Sequence, residues 1–398
     1  MNEPFKTPLE IIEHLEQHGH MAYFVGGAVR DLLLQRKIGD IDITTSAKPF
    51  EIMNLFNKTV DVGIEHGTII VIHKGNHYEV TTFRSENSYE DFRRPSSVSF
   101  IDSLEEDLRR RDFTMNAIAM SATGEIIDPF NGKSAILNGV IETVGEPSER
   151  FSEDALRMMR AIRFVSQLSF NLSEKTKEAI VQYAHRLKHI SIERITIEFE
   201  KILCGQNFKV AMKLLIDTHL SDYLPGLNID KDKLILISEY DWNKLECNYD
   251  YWSMFTFLLQ LDDIQLFLRS WKLPNKLIQT VLINVNGLKR VLDSGWKKEL
   301  LFEVGIESAV SIEKIRSILY KENIEKNIEW VRNEYKVLPI SSRSELAING
   351  KDLLSWYEFE PGPWLSNMLN KVERKVILGE IPNDKLQIKE WLGQCKLK

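Results

Sequence analysis

The sequence predicts an α+β protein, with an N-terminal head of strands and helices followed by an all-helical remainder. Three observations carry this expectation. All 8 Trp lie between Trp242 and Trp391, whereas more than half of the 20 Gly precede residue 150. The early part shows short alternating runs broken by turn residues, and the later part long amphipathic patterns of helical period. At 398 residues the chain is also too long for one small core, so several modules in series are expected.

The first helix is signalled by Thr7 as N-cap, Pro8 at the first helical position, Glu10 completing a capping box and Gly19 as terminator. A strand over 21–25 then leads through a Gly26-Gly27 turn into a short helix over 28–34. Further strands are expected at 40–44, 68–73 and 78–83, with Lys74-Gly75-Asn76 as the hairpin turn between the last two. Beyond them Ser152, Ser173 and Ser191 each stand within two positions of a Glu and mark helix starts.

Composition narrows the class. With 43% hydrophobic and 27% charged residues the chain is globular rather than disordered or fibrous. No apolar run approaches the length of a membrane span, and Met1-Asn2-Glu3-Pro4 opens no secretory signal. The cysteines Cys204, Cys247 and Cys395 have neither disulfide-framework nor zinc spacing, so a cytoplasmic location is expected. A net charge of −7 argues against a protein that coats nucleic acid by bulk positive charge, but allows a local basic groove.

Chemistry concentrates in the head. Gly26-Gly27-Ala28-Val29-Arg30-Asp31 stands between strand and helix, where two glycines allow close backbone approach and the helical N–H groups seat a phosphate. Arg30 adds a charged fork for the same anion. Alone, such a pair is as readily a plain turn. Further on, Gly39-Asp40-Ile41-Asp42-Ile43 alternates, so a strand there turns Asp40 and Asp42 to one face, roughly 6–7 Å apart. Two hard oxygen ligands beside a phosphate seat suit Mg²⁺ shared between protein and triphosphate. An edge strand guarded by acidic residues is the plainer alternative. Glu79, in the strand over 78–83, is a candidate third carboxylate.

These blocks resemble the nucleotidyltransferase superfamily that includes DNA polymerase β. Arg110-Arg111-Asp112-Phe113-Thr114-Met115-Asn116-Ala117, Asp128-Pro129-Phe130-Asn131-Gly132 and Glu153-Asp154-Ala155-Leu156-Arg157-Met158-Met159-Arg160 then follow in the order and spacing of the class II (bacterial-type) tRNA nucleotidyltransferases, the CCA-adding enzymes. The likeness continues through Ser191-Ile192-Glu193-Arg194 to Asn349-Gly350-Lys351-Asp352 and Gly362-Pro363-Trp364, and so spans essentially the whole chain. It implies a polymerase β-like mixed-sheet head over 1–135, a helical neck over 136–205 that selects the base, a body over 206–310 and a tRNA-binding tail over 311–398. It also implies template-independent addition and repair of the tRNA 3′-terminal CCA from CTP and ATP, with a two-metal Mg²⁺ site at Asp40 and Asp42. Oligomeric state stays open, a homodimer included.

The Asp154–Arg157 pair has its own physical logic. A helix over 153–165 makes them neighbours on one face, about 4.5 Å apart in rise. A carboxylate only accepts hydrogen bonds and a guanidinium only donates them. Cytosine and adenine both present an exocyclic amine beside an acceptor ring nitrogen and satisfy the pair, whereas uracil and guanine mismatch both contacts. By resemblance Arg111, Arg160 and Arg163 also belong to the nucleotide pocket. The helical wheel alone puts Arg163 about 180° from Asp154, at the start of a solvated basic face.

Residues 84–100, including Tyr89-Glu90-Asp91-Phe92-Arg93-Arg94-Pro95, read as a polar surface loop. In the family a loop here serves addition of the terminal adenosine, and its full length disfavours a CC-adding relative. His14, His18, His20, His73 and His77 carry no ligand set, and the later Trp and Phe are expected as core. The basic excess over 371–398 fits an RNA backbone or a charged helix surface equally well. Rival readings are a bacterial poly(A) polymerase, which usually carries a strongly basic C-terminal extension, and a catalytically inactive RNA-binding protein on the same scaffold.

Overall fold

The computed structural model describes residues 3–86, 89–90, 94–95, 98–228, 231–357 and 359–394. Contacts divide the chain into two compact units, Met1–Ile235 and Leu236–Lys398.

In the first unit, α1 (Lys6–Gln17), β1 (Ala22–Val25), α2 (Gly27–Leu33), β2 (Asp42–Thr45), α3 (Pro49–Leu55), β3 (Thr59–Gly63), β4 (Thr68–His73) and β5 (Asn76–Thr82) come first. The short strands β6 (Arg84–Glu86), β7 (Tyr89–Glu90), β8 (Arg94–Pro95) and β9 (Val98–Phe100) follow, then α4 (Leu104–Arg109), β10 (Ala119–Met120) and β11 (Ile126–Ile127). The unit continues through α5 (Gly132–Asn138), β12 (Val140–Ile141), α6 (Pro147–Glu153), α7 (Leu156–Leu168), β13 (Asn171–Leu172), α8 (Glu174–Tyr183), α9 (Ile192–Leu203) and α10 (Phe208–Asp217).

The 7-stranded sheet runs β11-β10-β1-β2-β5-β4-β3 and is mixed, because β2 and β5 pair in parallel while their neighbours pair antiparallel. This is the α+β head that the sequence predicts. The β4–β5 hairpin closes on Lys74 (φ 49°) and Gly75 (φ 82°), two left-handed residues whose twist matches the flanking strands. Asn76 therefore belongs to β5 and pairs with His73, rather than to the turn.

Several expected details differ. Thr7 lies inside α1, which begins after Phe5 without a side-chain cap. Glu10 bonds His73 and Lys74 across to β4 and its turn instead of closing a capping box. Ser152 sits within α6 and donates to the Ser148 carbonyl, whereas Ser173 does cap α8 by accepting from the Thr176 N–H. Asp40 precedes β2, whose ladder starts at Asp42. Helices α3 and α4 and the edge strand β3 carry too short a period to read from sequence. The 84–100 loop falls partly outside the described residues.

Helix α7 is the most deeply packed helix near the middle of the first unit's sequence. Met158, Met159, Ala161, Ile162 and Val165 are fully buried, α9 packs on α7, and Ile195, Phe199 and Ile202 of α9 are buried. Gly205 follows because a Cβ there would meet the Ser166 Oγ at 2.1 Å.

Helix α11 (Lys231–Ser238) runs across the division. The second unit holds α12 (Asn248–Leu259), α13 (Ile264–Ser270), α14 (Asn275–Ser294), α15 (Lys298–Tyr320), α16 (Ile324–Lys336), α17 (Gly350–Trp356), α18 (Pro363–Ile377) and α19 (Lys385–Gln394). Trp252 and Trp271 are fully buried and meet edge to face at 5.3 Å. Trp330 departs from the expected core role at 45% exposure, and Phe359 is also exposed.

Candidate nucleotide-binding cleft

A cleft of about 810 Å³ in the first unit gathers nine of the residues singled out from sequence: Gly26, Gly27, Arg30, Asp42, Arg111, Asp154, Arg157, Arg160 and Arg163. Asp40 and Glu79 do not line it. They nevertheless lie close to Asp42. Asp40 is two residues upstream and exposed, and Glu79 stands directly opposite Asp42 in the parallel β2–β5 ladder.

Burial, then repulsion from Glu79, push the Asp42 carboxyl up to about 6; Arg111 opposes the rise and Asp40 adds to it. A crowded set of hard oxygens suits a divalent cation. Among the described residues, no group of three or more His, Cys, Asp or Glu is placed to hold a metal. A cation at Asp42 would therefore need ligands from outside this set of side chains.

Gly26 has φ 69°, where a side chain is strained, and a Cβ there would lie 3.1 Å from Arg111 Nη1. Backbone and guanidinium are therefore side by side. Arg30 is nearly buried; it donates to Asp31 and, at 2.7 Å, to Asn116 Oδ1. Asn116 Nδ2 donates to Asp112 Oδ1, and Asp112 Oδ2 accepts from Arg160 Nε at 2.6 Å. A continuous polar chain thus joins the Gly-Gly turn to α7. The Nε of Arg111 and of Arg163, and Nη1 of Arg194, are buried without a hydrogen-bond partner. All three arginines line the cleft, so its wall carries concentrated positive charge that suits an anionic ligand.

Asp107 is the hub sequence reasoning missed. It is fully buried on α4 and accepts from Thr44, the Arg84 backbone N–H, Arg110 and Arg111. Burial would raise its pKa, but Arg110 and Arg111 hold it below the ordinary value. Asp107→Ala leaves two guanidiniums around an empty site, so we expect a loss of about 3–5 kcal/mol in unfolding free energy, read by urea denaturation. A loss below 1 kcal/mol would contradict this role.

Asp112 supplies a pH dependence. Burial opposes its ionisation, but Arg160, Asn116 and Arg157 outweigh that and lower its pKa from 3.8 to about 2. A depressed folded-state value contributes stability above the unfolded pKa that disappears as pH falls through the folded one. Between pH 4 and 2 the protein should lose ~2 kcal/mol from this group. Acid titration of Asp112→Asn should lack that component; an identical acid limb in both proteins would refute it.

The Asp154–Arg157 pair differs from the sequence expectation in geometry. Asp154 is extended (φ −137°, ψ 106°) and separates α6 from α7, so it does not share a helix with Arg157. Its Oδ1 accepts from the Leu156 N–H and its Oδ2 from Arg194 Nη2, at 2.9 and 2.7 Å. Arg157 is aimed by Glu153 at 2.6 Å and by the Arg150 and Arg110 carbonyls. The interruption between α6 and α7 at Asp154, rather than helical spacing, accompanies both side chains lining the cleft. Arg163 is likewise no member of a solvated face: it is 8% exposed, pairs with Glu198 at 2.8 Å and lies over the Phe164 ring. Neither Arg194 nor Glu198, both on α9, was assigned a site role from sequence, although Arg194 falls in a block that carried the resemblance.

Comparison with known proteins gives the family. Residues 22–142 match a model of the poly A polymerase head domain, and residues 243–392 a model of tRNA nucleotidyltransferase domain 2. Residues 169–230 match a model of an RNA- and SrmB-binding site of polymerase A. A CCA-adding enzyme of Geobacillus sp. (strain WCH70) is 52% identical over 393 residues, 98% of this chain and 97% of its own length. The chain belongs to the CCA-adding enzyme family. Another member, from Bacillus cereus (strain AH820), is 47% identical over 99% of this chain and 100% of its own. The crystal structure of the Bacillus stearothermophilus CCA-adding enzyme in complex with CTP superposes with a TM-score of 0.94 at 47% identity, covering 99% of this chain and 98% of that one. The CCA-adding enzymes fall within a polymerase-type nucleotidyltransferase superfamily that is generally metal-dependent. Among the described residues no helix is long and apolar enough to cross a membrane.

Proposed function

We propose that this protein builds and repairs the 3′-terminal CCA of tRNA from CTP and ATP, without a nucleic-acid template, in the cytoplasm. The observation that carries the reading is the convergence of Asp42, Arg111 and the Asp154–Arg157 pair on one cleft, in a chain that matches CCA-adding enzymes along its whole length. Asp40 and Asp42 would hold Mg²⁺, which when bound supplies Lewis acidity at the triphosphate, and Glu79 stands beside them. The Gly26-Gly27 turn, Arg30 and Arg111 receive the nucleotide's phosphates and sugar, with Arg160 and Arg163 behind the base. Asp154 accepts from the exocyclic amine while Arg157 donates to the ring nitrogen, so C and A fit and U and G do not. The tRNA 3′-hydroxyl forms a bond to the α-phosphorus as the bond to pyrophosphate breaks. We assign the head to 1–135, the neck to 136–205, the body to 206–310 and the tRNA-binding tail to 311–398.

The test supplies a tRNA transcript ending before CCA, with Mg²⁺ and each NTP separately and together. Growth by two nucleotides with CTP alone and by three with CTP plus ATP supports the reading. Long adenylate tails would favour the poly(A) polymerase that two of the matching models describe, arrest at two nucleotides a CC-adding enzyme, and no growth an inactive RNA-binding protein.

A further inference from the structure

We propose that Phe164 is a positioning residue for nucleotide binding, its ring gathering the guanidiniums of Arg30, Arg160 and Arg163 into one cluster of positive charge that draws the polyphosphate into the cleft. The inference rests on the nucleotidyl-transfer reading above and names what holds its arginines together. Arg30 meets the phosphates directly, and Arg160 and Arg163 add their charge from behind the base.

The Cζ atoms of Arg163, Arg30 and Arg160 lie 4.3, 5.2 and 5.8 Å from the centroid of the Phe164 ring. An aromatic face attracts a cation within about 6 Å, so all three are in range. Arg160 and Phe164 are four positions apart on α7 and share a helix face. Arg30 comes from α2 and reaches the same ring only through tertiary packing. Each arginine also has a carboxylate of its own: Asp31 for Arg30, Asp112 for Arg160 and Glu198 for Arg163. Those carboxylates stand on α2, between α4 and β10, and on α9, whereas the ring is a contact that all three guanidiniums share. The ring is itself held. Phe164 is 3% exposed, and the fully buried Phe113 stands perpendicular to it at 5.7 Å. Phe164 and the three arginines all line the cleft.

Like charges brought this close repel. Burial and then Arg160 hold the Arg163 guanidinium below its ordinary pKa, and Arg30 adds to the drop, while Glu198 and Asp112 oppose it. Arg163 Nε is buried without a hydrogen-bond partner, and the ring face supplies electron density beside it. An aromatic face attracts cations without adding a negative charge. It therefore holds the guanidiniums together and leaves them attractive to a polyanion. A further carboxylate in its place would compete with the nucleotide, and an aliphatic side chain would supply no attraction.

Replacing Phe164 by phenylalanines of increasing ring fluorination tests this, because fluorine drains electron density from the ring face with little change of shape. As fluorines are added, the Kd for CTP and the Kd for inorganic tripolyphosphate, both from calorimetry, should rise stepwise to about tenfold, with kcat within about twofold. Phe164→Leu, which keeps apolar bulk without a ring face, should match the fully fluorinated protein. A series in which neither Kd responds to fluorination overturns the proposal and leaves Phe164 a packing residue. A rise for CTP with none for tripolyphosphate overturns it too, because the ring would then act on the base. If the unmodified protein extends no primer with CTP, the proposed function fails instead, and the binding series still reports on the cluster.

Discussion

Asp42→Ala should lower nucleotide addition by on the order of 10³-fold or more while tRNA binding, followed by gel shift, stays within about twofold. The size follows from losing several kcal/mol of charge stabilisation at the reacting phosphate, at 1.36 kcal/mol per tenfold. Structure separates this residue from its neighbours. Asp42 starts β2, beside Val25 on one strand and Glu79 on the other, and lines the cleft. Asp40 is exposed and outside the strand. Asp40→Ala should also abolish addition, since a cation held by one carboxylate is poorly fixed. The raised pKa of Asp42 adds that its removal relieves repulsion, so the inactive variant should be no less stable than the parent. Activity within tenfold of the parent in Asp42→Ala would remove the proposed metal site.

Asp154→Ala should loosen base choice without weakening metal binding. The carboxylate already accepts from the Leu156 N–H and from Arg194, yet two oxygens offer about four acceptor sites, so capacity remains for an exocyclic amine. A mismatched buried contact costs about 1–3 kcal/mol, and deleting the acceptor removes that penalty for U and G. Discrimination of CTP over UTP should therefore fall by roughly 10–100-fold. Asp154→Asn should loosen it too, because an amide can turn either a donor or an acceptor to the base. Competition assays with mixed NTPs give the ratio directly. Full C and A selectivity in Asp154→Ala would refute the protein-template argument. Because Arg194 loses its partner in the same variant, Arg194→Ala is the matched control: it disturbs Asp154 without removing the acceptor.

Much of the candidate site stood out because its residue types cluster in short stretches of sequence. Two adjacent glycines before Arg30 and two aspartates bracketing Ile41 lie close in sequence, and the strand–turn–helix around them is local. Asp154 and Arg157 were legible as a donor–acceptor pair for the same reason. Their geometry was not, because helical periodicity was extended through a residue whose backbone is extended. The wheel reading of Arg163 as the start of a solvated face failed for a related reason. A wheel measures angle about one axis, whereas the cleft is bounded by α9 as well, and Glu198 from α9 draws Arg163 inward.

The sequence by itself determined the fold class, the order of head and helical remainder, and the chemical alphabet of the site, since these follow from periodicity, turn residues and side-chain chemistry along short stretches. Only the tertiary structure decided which charges meet. Thr44 meets Asp107 across 63 positions, Arg160 meets Asp112 across 48, and Glu79 stands opposite Asp42 through parallel pairing between β2 and β5. The physical reason is that ion pairing and strand register act between segments far apart in sequence. Their partners are fixed by how the sheet is ordered and how α7 and α9 pack, and neither leaves a periodic trace along the chain.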